Sequence, residues 1–301
     1  MTELPGKLAI AVTFHYERTR LKFLQRVAEE FPNLAREAAV WVITNDSRDS
    51  VTREIKDAVS LRPLNIVRPS HLGHPFLLTW AHQAIFSELV QQDPSYSHFL
   101  YIEDDLLVTR DNIEYWLEAS EKLAPFGLIP GFVRFEVTPD GREVSSDIRK
   151  VHKYFEMPRV EFSSHAYVNF RTPYQGMYLM SRKLISEFYS SQSYSPDNKT
   201  KWGIREKATQ ALIFENVPQG CVNRSFVGYQ AGKGVDPRSK VHHLPNNYAA
   251  YAFEHGTRFG SLAIQDLIWH PVDGVRAIFS RVFSRLSLFV RRRKIMVARV
   301  E

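Results

Sequence analysis

The apolar positions of the first hundred residues fall into short continuous runs separated by stretches of helical spacing. Leu8-Ala-Ile-Ala-Val-Thr-Phe14 is apolar and β-branched throughout, the pattern of a strand covered on both faces. Leu21, Leu24, Val27, Ala28 and Phe31 recur at helical intervals, and Pro32-Asn33 closes that segment. Val40–Thr44 and Leu64–Arg68 repeat the strand pattern, with a polar helix expected over Val51–Val59 and a long helix over Pro75–Leu89. A fourth apolar run, Phe99–Ile102, ends in Glu103-Asp104-Asp105 before Leu106–Val108 resumes. This β-α-β-α-β-α-β order predicts an α/β fold with a mainly parallel sheet, whose ligands bind beyond the carboxyl ends of the strands. His15–Arg18, Asn45–Asp46, Ser70–His74 and Glu103–Asp105 are the polar segments that follow those ends.

The second half is less regular. A helix is expected over Asn112–Leu123, a strand over Gly131–Thr138 before the turn signal Asp140-Gly141, and no period emerges in residues 142–172. Met177–Met180 reads as a strand feeding a helix near Ser181. Glu206–Phe214 reads as helical, Cys221–Val227 as strand-like, and the chain from Asn246 as loop.

The acidic triplet is the chief chemical signal. Three adjacent carboxylates at a strand end repel one another and lose hydration, so they call for a partner. A hard divalent cation, Mg²⁺ or Mn²⁺, is one such partner, and a solvated acidic turn is the plainer alternative. Composition does not oppose an enzyme: of 301 residues, 44% are hydrophobic and 24% charged. Cys221 is the only cysteine, so no disulfide forms within the chain, which fits a reducing compartment. Met1–Lys7 carries no basic leader, Leu8–Phe14 is too short for a secretion signal, and no apolar run approaches the ~18 residues of a membrane span.

Charge is distributed unevenly. From Arg276 to the end there are eight Lys/Arg and one acid, whereas the whole chain carries +6, so residues 1–275 are close to neutral. That balance argues against a nucleic-acid-binding face on the body. In the tail, Val275, Ile278, Phe279, Val282, Phe283, Leu286, Phe289 and Val290 recur at helical spacing beside Arg276, Arg281, Arg285 and Arg291–Lys294. A basic amphipathic helix over 271–301 is expected, its 275–299 stretch drawn to an anionic membrane surface. A partner helix or a nucleic-acid arm are its other readings.

With Leu8–Phe14, Asn45–Asp46 and Tyr101-Ile-Glu-Asp-Asp105 in this order, the chain resembles a GT-A fold glycosyltransferase of the nucleotide-diphospho-sugar transferase superfamily. Glu103 departs from a strict Asp-X-Asp motif at its first position. The resemblance implies one domain over 1–270, with a Rossmann-like nucleotide-binding donor half (about 7–110) and an acceptor-binding half (about 111–270). It implies Asp105 as direct metal ligand, Glu103 at the ribose or a metal-bound water, and Asp104 as support of the turn. Asp46 would read the base, and Thr13, His15 and Arg18 would lie along base and ribose. A late histidine, His243 or His242, would complete the metal or diphosphate site. The cofactor implied is Mn²⁺ or Mg²⁺, with a UDP- or GDP-linked sugar as donor and a glycan or glycolipid hydroxyl as acceptor.

An inverting transferase needs a base for the acceptor hydroxyl. Glu206, at a helix start after Gly203, is the candidate, with Glu136 and Asp147 behind it; a first-turn Glu also simply complements a helix dipole. Tyr174, Gly176, Tyr178 and Trp202 are acceptor-wall candidates that serve equally as turn and core residues. His71, His74 and His82 flank the third helix, and Lys233 in Gly232-Lys-Gly234 is a phosphate contact or a surface turn. The expected location is cytoplasmic, peripheral on the inner face of a membrane, in a setting such as surface polysaccharide assembly. Two rival classes stand beside the transferase. A sugar nucleotidyltransferase wants a Gly-rich basic loop after the first strand, which His15-Tyr-Glu-Arg18 is not, and a non-catalytic carbohydrate-binding scaffold needs no metal.

Overall fold

The computed structural model describes residues 3–70, 72–197, 202–257, 259–270 and 295–300. The chain is mixed α/β and divides into two compact units. The first comprises Met1–Glu118, Tyr174–Glu215 and Val241–Pro245; the second comprises Ala119–Pro173, Asn216–Lys240 and Asn246–Glu301. The units thus interleave along the chain, and the first takes in two segments well beyond residue 110.

Unit one is built on a five-stranded sheet. β1 (Lys7–Phe14) lies between β2 (Glu37–Thr44) and β4 (His98–Glu103), and β3 (Leu64–Val67) flanks β2, all four parallel. The strand Met177–Ser181 closes the other edge antiparallel to β4. Leu8 to Val12 are fully buried, as a strand covered on both faces requires. The helices α1 (Leu21–Ala28) and α2 (Asp49–Ala58) supply Leu24, Val27, Val51 and Ile55 to the core. The expected helix at Pro75 is two pieces, a 3-10 turn Pro75–Trp80 and α3 (His82–Gln92). His82 belongs to the core: it is fully buried, stacks on Tyr101 at 4.0 Å, and burial drives its pKa down to about 3. The parallel register pairs Phe14 with Thr44, Ile43 with Val67 and Thr13 with Glu103, so the strand ends expected to carry chemistry share one edge.

Unit two has a core of Val133, Tyr154, Met157, Val168, Phe170, Val227, Tyr229 and Leu267 among others. Its strands run from two to six residues. Ala166–Val168 lies between Arg159–Glu161 and Ser225–Gln230, antiparallel to both. Residues 142–172 showed no period because the strands there have only two or three residues each, too few for alternation to register. The chain after Asn246 is a helix, Asn247–His255, where a loop was expected; Asn246 enters it at φ 52°.

The basic tail is only partly within the described residues. Val297–Arg299 is a strand parallel to Arg159–Glu161, so the expected helix does not continue to residue 301. The β-branched Val297 and the ion pair of Arg299 with Glu161 at 2.9 Å favour that pairing. The helix expected over 271–294 lies outside the described residues. Among the described residues no helix is long and apolar enough to cross a membrane.

Gly260 tests the packing of unit two. Its φ is +67°, and an added Cβ would stand 2.5 Å from the carbonyl carbon and oxygen of Tyr248 and 2.7 Å from Ala249 N. Since backbone cannot yield as a flexible side chain does, Gly260→Ala is expected to destabilise the protein by about 2 kcal/mol or more. Denaturant unfolding measures it, and a change under ~0.5 kcal/mol, the range of ordinary surface substitutions, would contradict the tight approach.

Candidate functional site: an acidic strand end closed by Arg20

The turn after β4 is anchored through its backbone. Asp104 N donates to Thr13 O at 3.2 Å, and Leu244 N donates to Asp105 O at 2.9 Å. The strand Lys240–His243 pairs antiparallel with Leu106–Leu107, placing His243 opposite Leu106 and His242 opposite Leu107. Alternation along a strand turns these two histidines to opposite faces. His243 is buried, its Nε2 3.4 Å from Asp105 Oδ2; His242 is half-buried and separate from that contact.

The partner of the acidic turn is Arg20, which precedes α1. Its Nε and Nη2 donate to Asp104 at 3.0 and 2.8 Å, and Nη2 also donates to Asp105 Oδ2 at 2.9 Å. Asp104 is therefore more than a support of the turn: it is buried and held by a two-pronged guanidinium contact. Glu103 faces different company. Its Oε1 accepts from Tyr174 Oη at 3.3 Å, and Gly176, at φ +66°, lets Leu106 come so close that a Cβ there would sit 2.6 Å from Leu106 Cδ1.

Two adjacent buried carboxylates facing one guanidinium do not ionise alike. Burial and the neighbouring charge of Asp105 push Asp104 up to about 7 against the pull of Arg20. Burial also presses Asp105 upward, but His243 and Arg20 together outweigh it and hold Asp105 at about 2. Asp105 Oδ1 is buried and has no hydrogen-bond partner among the described residues.

That oxygen allows the fit of a divalent cation to be judged from the donors themselves. Asp105 Oδ1 and the His243 imidazole are a carboxylate and a nitrogen donor side by side, suited to two positions around Mn²⁺ or Mg²⁺. Asp104 fits less well, since both its oxygens are committed to Arg20. Among the described residues no cluster of three or more His, Cys, Asp or Glu is arranged to hold a metal. The residues thus fit two ligands of such a set.

A second polar cluster lies after β1 and β2. Asn45 Oδ1 accepts from Tyr16 N at 2.8 Å, Tyr16 Oη donates to Glu54 at 2.9 Å, and the Arg48 guanidinium lies 5.5 Å from the Tyr16 ring centre. Asp46 accepts from Arg48 N, Nε and Nη2, and those contacts lower its pKa. His15 and Arg18 are exposed at the same edge. Thr13 is buried, and its hydroxyl donates to Tyr101 Oη at 3.2 Å.

Glu206 stands in the first turn of the helix Ile204–Gln210, half-buried, with its carboxylate folded back over Gly203. The substitutes for it are engaged within unit two. Glu136 is fully buried and accepts from Ala249 N at 2.6 Å at a helix start, and Asp147 takes two contacts of 2.9 Å from Arg134. Trp202 stacks on Phe214, Tyr178 is buried, His74 caps its own 3-10 turn, and His71 lies outside the described residues. Arg20 is the residue of this cluster that sequence reasoning missed: Glu17-Arg18-Thr19-Arg20 offers two arginines, and only the tertiary structure distinguishes the one that reaches residue 104.

No protein-family model matches the chain, and no curated protein sequence matches it either.

The ion cluster has a definite pH signature. Asp104's value of about 7 lies above its ordinary 3.8, so from about pH 4 to 7 the folded protein keeps a proton the unfolded chain has released. This contribution to stability is complete below about pH 4 and is lost as pH rises through 7. In paired denaturant unfolding, the stability of the parent relative to Asp104→Asn is expected to decline across that window; a constant difference would refute the raised pKa. Arg20→Gln, which leaves both carboxylates without their cation, is expected to cost about 3–5 kcal/mol, most of it above pH 7.

Proposed function

We propose that unit one binds a nucleoside diphosphate sugar along the carboxyl edge of its parallel strands, and that the chain is a GT-A type glycosyltransferase. The observation that carries this reading is the cluster of Arg20, Asp104, Asp105 and His243 at the end of β4. It sets three buried groups, Asp104, Asp105 and His243, beside the half-buried Arg20 at the edge where open α/β sheets bind ligands. The second cluster, Tyr16, Asn45, Asp46 and Arg48, supplies an aromatic ring and hydrogen-bonding groups suited to a base and ribose at the ends of the adjoining strands.

In this reading Asp105 and His243 hold a divalent cation, which when bound neutralises the leaving diphosphate as a Lewis acid. Arg20 meets phosphate oxygens with the same paired N–H groups that now hold Asp104. Glu103, hydrogen-bonded to Tyr174, is placed to accept from a ribose hydroxyl. Glu206 takes the proton of the acceptor hydroxyl as its oxygen bonds to the anomeric carbon and the bond from that carbon to the phosphate oxygen breaks. This assignment makes the transfer inverting. The acceptor is a glycan or glycolipid hydroxyl, and the basic tail holds the protein on an anionic membrane surface at the cytoplasmic side.

Calorimetry with UDP and GDP, with and without Mn²⁺, tests the donor site. Metal-dependent binding is expected, with Asp105→Asn weakening it at least ~10-fold, the equivalent of about 1.4 kcal/mol. Binding without metal dependence, or unaltered in Asp105→Asn, would remove the assignment. For the tail, replacing Arg291, Arg292, Arg293 and Lys294 together by Gln is expected to release the protein from phosphatidylserine vesicles in a sedimentation assay. Undiminished sedimentation would dismiss the membrane reading.

A further inference from the structure

Unit two contains a cleft of about 290 Å³ that the donor-site reading does not use. It lies near the lower end of ligand cavities, which run ~300–1,000 Å³. Lys122, Lys233 and Arg238 line it against a single carboxylate, Asp236, a surplus of two positive charges.

The cations are held on a built frame. Lys122, in the last turn of the helix Arg110–Leu123, places its Nζ 3.2 Å from His165 Nε2. An ammonium group only donates, so Nε2 is the acceptor and the imidazole proton lies on Nδ1, 3.2 Å from Ser164 Oγ. Phe162 stacks on this imidazole at 5.0 Å and 7°, and Tyr167 meets it edge-on at 5.5 Å. Gly232 and Gly234 adopt φ +77° and +85°, a turn conformation, with the exposed Lys233 between them. Asp236 Oδ1 accepts from Arg238 N at 2.9 Å, and its carboxylate meets the Arg238 guanidinium at 3.3 and 3.4 Å. Among the described residues neither Lys122 nor Lys233 has a carboxylate partner. Tyr167 and Tyr229, both buried, form the wall.

We propose that this cleft binds the phosphate monoester of a sugar-sized ligand. The dianionic group would be met by Lys122, Lys233 and Arg238, and the ring would lie against the tyrosine wall. A dianion matches the surplus of two charges, and a monosaccharide ring is commensurate with the cavity. A solvated basic turn would account for Lys233 alone. It does not account for an imidazole stacked on Phe162 and met edge-on by Tyr167 beside a half-buried lysine without a carboxylate partner. The whole site lies within unit two and stands whether or not unit one binds a nucleotide.

Calorimetry on the full chain with glucose 6-phosphate, glucuronate, glucose and inorganic phosphate is the test. Glucose 6-phosphate is expected to bind at least ~10-fold more tightly than glucuronate, and glucose not measurably. Lys233→Gln, on an exposed turn where folding is not at risk, is expected to weaken glucose 6-phosphate by about 10-fold, in line with loss of one charged hydrogen bond. Lys122→Gln, which keeps a donor for His165 Nε2, should do the same. Imidazole ¹⁵N shifts of His165 should move on addition of glucose 6-phosphate. Absence of millimolar binding, affinity unchanged in Lys233→Gln, or glucuronate binding as tightly as the phosphate would each overturn the proposal.

Discussion

The guanidinium of Arg20 is the constraint on which the strand-end chemistry of unit one turns. Asp104 and Asp105 are adjacent and buried, and the desolvation of two such carboxylates is a matter of several kcal/mol each unless an opposite charge is near. Arg20 supplies that charge at 2.8–3.0 Å from both residues, with His243 beside Asp105. The outcome is asymmetric: one carboxyl tends to keep its proton near neutrality while the other stays ionised. In this asymmetric pair Asp104 is faced on both oxygens by Arg20, while Asp105 Oδ1 has no hydrogen-bond partner among the described residues.

This cluster could form only because the sheet register brings distant segments to one edge. Thr13 pairs with Glu103 across β1 and β4, so the turn after β1, which holds Arg20, begins beside the turn that holds the acids. The segment Val241–Pro245, though late in the chain, returns to this unit and is fixed by Leu244 N on Asp105 O. Tyr174 and Gly176 arrive with the antiparallel edge strand. Four stretches of chain therefore contribute to one turn.

Much of this was legible in the sequence, in proportion to how local the determining physics is. The buried run Leu8–Phe14, the helical spacing from Leu21 and the abrupt stop at Glu103 each reflect burial along a single element, which periodicity records. The acids also announced their need for a partner, but not its identity. A cation 84 residues away leaves no trace in spacing, and Arg20 differs from Arg18 only in which way the turn before α1 points it. Thr13 read as a ligand contact because it ends a strand, yet the buried Tyr101 hydroxyl beside it takes its hydrogen bond. In unit two the strand expected at Gly131–Thr138 is present as Val133–Val137, but in residues 142–172 the signal failed for another reason: strands of two or three residues are specified by cross-strand partners and by buried networks such as Asn169 with Asn223 and Ser225, not by their own alternation.

The same ion cluster sets a condition on any ligand. A cation approaching Asp105 must compete with Arg20, because the guanidinium already occupies Oδ2 and two like charges would share one carboxylate. Arg20 in turn leaves Asp104 only for a partner of comparable geometry, and a diphosphate offers its paired donors such a partner. Asp104, with its raised pKa, can hold a proton when the guanidinium departs, which lowers the cost of that exchange. On the proposed reading, anion binding to Arg20 and cation binding to Asp105 would therefore be mutually favourable, and by linkage each would raise the affinity of the other by the same factor. Such a site would favour a ligand that brings negative charge and a metal together over either alone, the combination that the proposed nucleoside diphosphate and its cation present.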